Sequence, residues 1–134
     1  MARQKQKERV GGVRTGPNTS RSLRYAQEIT STDDRPERPG RSLVTSDHEV
    51  IQRWAQQRDA APATVGGTEH DGRPGVLTFI FPLGDSGARV HPVSWDDWFR
   101  SFEERSLNFL YQEERSDGRQ SNFFRLENPR REDA

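Results

Sequence analysis

No cysteine occurs anywhere in the chain. That excludes disulfides, thiolate nucleophiles and cysteine-containing zinc sites. No apolar run approaches the ~20 residues needed to span a bilayer. The basic N-terminus lacks the apolar h-region of a secretory signal. Hydrophobic residues are scarce, at 29% against 31% charged, and the mean hydropathy is −1.09. A chain of 134 residues this polar cannot place all of itself around one core. These absences describe a cytoplasmic protein with one small domain and polar extensions, and with no membrane partner.

Signatures of catalysis are missing too. No P-loop, no GxGxxG between strand and helix, no GxSxG elbow and no HExxH occurs. The glycines at 66, 67, 72, 75, 84 and 87 read as turns. His48, His70 and His91 are the only histidines and share no ligand spacing. The carboxylates of Asp96, Asp97, Glu103, Glu104, Glu113 and Glu114 fall beside arginines on wet faces, whereas an acid/base pair needs an environment that splits two pKa values. No catalytic, cofactor-binding or metal-ligating residue is therefore assigned, and no cofactor is expected.

The net charge is zero, but it is divided. Residues 1–41 carry ten Lys/Arg and five Asp/Glu, while residues 42–134 carry eleven and sixteen. The opening MARQKQKERVGGVRTGPNTSRSLR has seven basic residues against one acid. It has too few apolar side chains to offset its ordering entropy. Residues 1–41 thus read as a flexible basic arm, closed by the linker DDRPERPG at 33–40. Such an arm suits phosphate backbones, through Arg3, Lys5, Lys7, Arg9, Arg14, Arg21 and Arg24.

From Ser42 the pattern changes. Ser46 and Glu49 match a capping box ahead of Val50, Ile51, Trp54 and Ala55, so a helix is predicted over about 47–58. Ala63–Val65 suggests a short strand, and VLTFIFP (76–82) a buried one. SWDDWFRSFEER (94–105) sorts into two faces. Trp95, Trp98, Phe99 and Phe102 form an apolar stripe, whereas Asp96, Arg100 and Glu104 form a charged line, with Ser94 as N-cap. That stripe is a core rather than a ligand platform, Trp95 being its most exposed member. LNFLYQEE and SNFFRLEN flank Asp117-Gly118, a hairpin signal. Leu107, Phe109 and Tyr111 take one face, Asn108 and Gln112 the other, and Phe123 is left on the outside.

The fold class expected is α+β: two amphipathic helices packed on a three- or four-stranded antiparallel sheet, with a disordered N-terminal arm. The divisions are 1–41 arm and linker, 42–128 domain and 129–134 polar tail. The function expected is a small non-enzymatic interaction module that binds a protein, with a basic arm for nucleic acid. The alternative is a small enzyme or ligand-binding domain whose site lies near loops 66–75 and 83–93.

The segments LVTSDHEVIQRWAQQRDAAPATV, GVLTFIFP, SWDDWFRSFEER, NFLYQEE and SNFFRLEN (within 43–128) resemble a small bacterial domain family of unknown function, often labelled "1,4-alpha-glucan branching enzyme". The resemblance implies a stand-alone α+β domain and brings no catalytic residues. The label itself implies a (β/α)₈ barrel, which needs ~250 residues. This chain is too short for one.

Overall fold

Helix ends shape much of this fold. The structure, a computed structural model, describes residues 13–82 and 89–130. Helix α1 spans Arg21–Arg24, α2 His48–Gln57 and α3 Trp95–Glu104. Ser94 caps α3 as expected, its hydroxyl accepting from the Asp97 N–H at 3.0 Å. The cap of α2 is Asp47 rather than Ser46. The Asp47 carboxylate accepts from the Val50 N–H at 3.0 Å, while Ser46 is buried. Both long helices close in the same way. The Asp59 and Ala60 N–H groups donate to the Gln56 and Ala55 carbonyls, and those of Ser106 and Leu107 to the Glu103 and Phe102 carbonyls. This is the Schellman pattern, and its left-handed residue is Asp59 (φ 53°) or Ser106 (φ 53°) in place of glycine.

Seven strands form two sheets, not the single sheet expected. Strands β1 (Gln27–Glu28), β2 (Leu43–Thr45), β6 (Asn108–Tyr111) and β7 (Phe124–Glu127) lie in the order β1-β2-β6-β7. Strands β3 (Ala61–Val65), β4 (Leu77–Ile80) and β5 (Val90–Pro92) lie in the order β4-β3-β5. All pairings are antiparallel except β1 with β2, which is parallel. The hairpin around Asp117-Gly118 is present, with Gly118 at φ +87°.

The main core joins the two sheets under α2 and α3. Trp54 of α2 touches Phe109, Tyr111 and Phe124 of one sheet and Phe79 of the other. Trp98 and Phe102 are fully buried, and Trp95 and Phe99 are half-buried at the stripe's edge.

Residues within 13–41, expected to be a free arm, pack against the rest of the described chain. Leu23 joins Val44 and Leu110 in a second small core on the far face of the four-stranded sheet, with Val13 and Ala26 against it. Ile29 enters the main core. Asn108, expected on a wet face, is buried because this segment covers it. Its amide oxygen accepts from the Arg14 N–H at 2.9 Å, and its amide nitrogen donates to the Arg14 carbonyl at 2.8 Å. Pro129, expected in the tail, is buried against the same segment. Its carbonyl accepts from the Asn18 N–H, and a Cβ on Gly16 would lie 2.6 Å from that oxygen. Residues 1–12 and 131–134 lie outside the described residues.

An internal repeat underlies the domain. Residues 43–80 and 90–127 contain the same succession, strand–helix–strand–strand, offset by 47 positions throughout. Thus α2 (His48–Gln57) corresponds to α3 (Trp95–Glu104), and β4 (Leu77–Ile80) to β7 (Phe124–Glu127). Hairpin register is shared as well: Ala61 pairs with Ile80, and Asn108 with Glu127. The units exchange their first strands, β2 pairing with β6 and β5 with β3. Reciprocal exchange of one element is how a two-fold pair of subunits is often built; here both copies lie on one chain.

Candidate protein-binding surface

The two units clasp each other through equivalent arginines. Arg58, at the C-cap of α2, donates to the Ser121 carbonyl at 2.7 Å, the Trp54 carbonyl at 2.9 Å and the Glu113 carbonyl at 2.9 Å. Its guanidinium lies 4.3 Å from the Trp54 ring centroid. Arg105, at the C-cap of α3, donates to the Pro74 and Gly75 carbonyls, both at 2.5 Å. Pro74 and Ser121 are equivalent positions, so each unit's arginine holds the other unit's hairpin loop. The planar fork of arginine allows one side chain to satisfy several carbonyls at once. Burial lowers the pKa of both guanidiniums, and a nearby carboxylate opposes the shift, Glu113 for Arg58 and Glu104 for Arg105.

The clasp is not symmetric in charge. Glu113 stands 3.8 Å from Arg58. The position equivalent to Glu113 is Gly66, and among the described residues no carboxylate forms an ion pair with Arg105.

Arg105 lines a cleft of about 240 Å³ between β4 and β7, with Val76, Leu77, Leu107, Phe124 and Leu126. Arg125, whose Nε donates to Glu127 at 2.8 Å, completes it, and among the described residues no carboxylate lines it. The two strands are equivalent, and each ends its sheet. Their outward backbone groups follow from the register. The Gln112 N–H donates to the Phe123 carbonyl. The hydrogen-bonded pairs are then 110 with 125 and 108 with 127, so the N–H and C=O of Phe124 and Leu126 point away from β6. The Val65 N–H likewise donates to the Val76 carbonyl, which directs the backbone of Leu77 and Phe79 outward. Among the described residues nothing hydrogen-bonds to these outward groups. Val76 and Phe123, again equivalent positions, are each 44% exposed.

A larger groove of about 940 Å³ runs beside the 34–39 linker and the hairpin turn, with Arg53 and Glu114 among its lining. Many of its charged groups already serve the fold. Arg35 and Arg53 both donate to the Thr32 carbonyl, Glu37 pairs with Arg41, and Asp34 accepts from the Thr30 N–H and hydroxyl. The Thr30 hydrogen bonds hold the Asp34 pKa below its ordinary value.

The basic residues assigned to nucleic acid are not alike. Arg3, Lys5, Lys7 and Arg9 lie outside the described residues. Arg14 is committed to the fold, with donations to the Leu107 carbonyl and to Glu103, and its guanidinium 5.2 Å from the Phe102 ring centroid. Arg21 and Arg24 are exposed on α1 beside Tyr25, which is 73% exposed.

The histidines do not converge. His48 stacks on Phe99, with centroids 4.1 Å apart, and lies 2.6 Å from Glu103. His91 pairs with Glu69 at 3.0 Å, and that contact holds the Glu69 pKa down. His70 Nδ1 lies 3.3 Å from the Thr68 carbonyl. Among the described residues no group of three or more His, Asp or Glu is placed to hold a metal ion. Residues 83–88 of the loop expected to border an enzymatic site lie outside the described residues. Among the described residues no helix is long and apolar enough to cross a membrane.

Sequence reasoning missed the clasp and the cleft. One signal was present: Arg53/Arg100 and Arg58/Arg105 are the identical pairs at the 47-residue offset. No family model, curated protein or solved structure matches the chain, and the resemblance of residues 43–128 to the bacterial family rests on the residues quoted for it.

Proposed function

We propose that this chain is a small, non-enzymatic interaction module of the cytoplasm that binds a protein partner at the cleft between β4 and β7. The observation that carries the reading is the pair of open strand edges lining one apolar cleft. An unpaired edge is a template for another chain, and proteins usually blunt theirs with charge, proline or a covering loop. Here both edges face exposed Val76 and half-buried Phe124 and Leu126. A partner that covers them removes apolar surface from water and pairs the outward amides. Membership of the bacterial family that residues 43–128 resemble is part of the same proposal and supplies no competing site.

Affinity purification of the full chain from its native host, followed by mass spectrometry, tests this. A protein partner should co-purify with the native chain, be lost with Val76→Asp, and be kept with Arg100→Ser on the wet face of α3. A partner retained by both variants places binding elsewhere. Recovery of nucleic acid with no protein would overturn the reading.

A second reading, nucleic-acid contact through the N-terminal region, draws on exposed Arg21, Arg24 and Tyr25. Binding of that kind is weak, insensitive to sequence and lost steeply with salt.

A further inference from the structure

We infer that the cleft accepts its partner as an added β-strand, pairing with the free edge of β7 and presenting one acidic side chain to Arg105. The inference rests on the protein-binding reading and specifies the form the partner takes.

Geometry sets the pairing. Strand β7 turns the N–H and C=O groups of Phe124 and Leu126 away from β6, two residues apart, which is the spacing at which an extended chain makes its hydrogen bonds. Side chains alternate along a strand. Incoming residues opposite Phe124 and Leu126 therefore point to the same face as those side chains, into the space bounded by Leu77, Leu107 and Val76. Those positions call for apolar groups. A volume of about 240 Å³ holds one or two such side chains and no folded element.

The broken symmetry of the clasp sets the charge. Arg58 and Arg105 do the same work on equivalent loops, yet among the described residues only Arg58 has a carboxylate within ion-pair distance, Glu104 acting on Arg105 from beyond it. Arg105 is half-buried, its hydrogen bonds among the described residues go to carbonyls, and it opens on the cleft beside Arg125, which is paired with Glu127. An acidic side chain from the partner supplies at Arg105 what Glu113 supplies at Arg58. The occupant is thus an extended segment of alternating apolar residues with one carboxylate, rather than a helix, a basic peptide or a second copy of this chain.

The test uses the full chain, labelled with ¹⁵N, and capped octapeptides alternating valine and threonine. A single glutamate is scanned along the peptide, with glutamine in its place as the control. Because Arg105 also secures the 66–75 loop, the charge is changed on the peptide and the protein stays native. One glutamate position should bind about fivefold to tenfold more tightly than its glutamine control, an advantage that fades with salt. The Phe124 and Leu126 amides should become protected from exchange on binding, and shift changes should centre on β4, β7 and Arg105. Equal binding of the glutamate and glutamine peptides overturns the role of Arg105. Shift changes along residues 34–39 instead of β7 overturn strand addition. Concentration-dependent self-association that protects β7 without peptide makes a second copy the occupant and overturns the acidic segment. If no octapeptide binds while the native partner is still lost with Val76→Asp, strand addition fails and the protein-binding reading survives.

Discussion

Arg58 concentrates the problem of burying a charge in a small domain. Its side chain is almost fully buried, yet its nitrogens meet three backbone carbonyls and its flat face lies on Trp54. Taking an ion out of water is costly, and only near-complete satisfaction of its donors offsets that. Removing the side chain would leave the Ser121 and Glu113 carbonyls without this donor beside a cavity. Arg58→Ala should therefore lower the unfolding free energy by about 3–5 kcal/mol in urea melts. Arg58→Lys should recover less than half of the loss, since a single ammonium cannot reproduce the fork. A loss under about 1 kcal/mol would mean that the guanidinium is hydrated and the clasp weak. Tyr111 sits in the same neighbourhood. Burial pushes its phenol pKa upward, which favours the protonated form.

At the scale of elements, periodicity explains what could be read and long range explains what could not. The α3 stripe was legible because Trp98 and Phe102 recur at helical spacing, and both are fully buried. Ser94 was legible as a cap because its hydroxyl acts within one turn. The Schellman closures were not, because Asp59 and Ser106 stand where glycine is the usual signal. The packing of residues 13–41 left even less trace. It rests on a few apolar side chains, such as Leu23 and Ile29, and on the Arg14–Asn108 pairing across 94 positions. Composition alone reads that stretch as an arm, since no local pattern records a contact so distant. Leu23→Ala separates the two descriptions. If the segment is packed, the variant should lose roughly 2–3 kcal/mol in a denaturant melt through the cavity beside Val44 and Leu110. An arm detached from the domain would leave the melt unchanged.

Over the whole molecule, the α+β class was legible from the succession of elements, whereas the division into two sheets was not. That division comes from the exchange of β2 and β5 between the units. No alternation pattern within a strand says which hairpin it will join. The repeat itself was hidden because little beyond the two arginine pairs is shared at the 47-residue offset. The cleft is a product of this architecture. Two equivalent hairpins meet through Phe79 and Phe124, whose ring centroids are 5.0 Å apart, and among the described residues neither outer edge finds a partner strand. Everything proposed about binding depends on that edge being open in the free protein. Amide hydrogen exchange along β7, measured by NMR on the full unliganded chain, tests it most directly. The amides of Arg125 and Glu127, bonded to β6, should exchange slowly, and those of Phe124 and Leu126 at least tenfold faster. Equal protection at all four positions would show that the chain covers its own edge, and that the cleft is not a docking site.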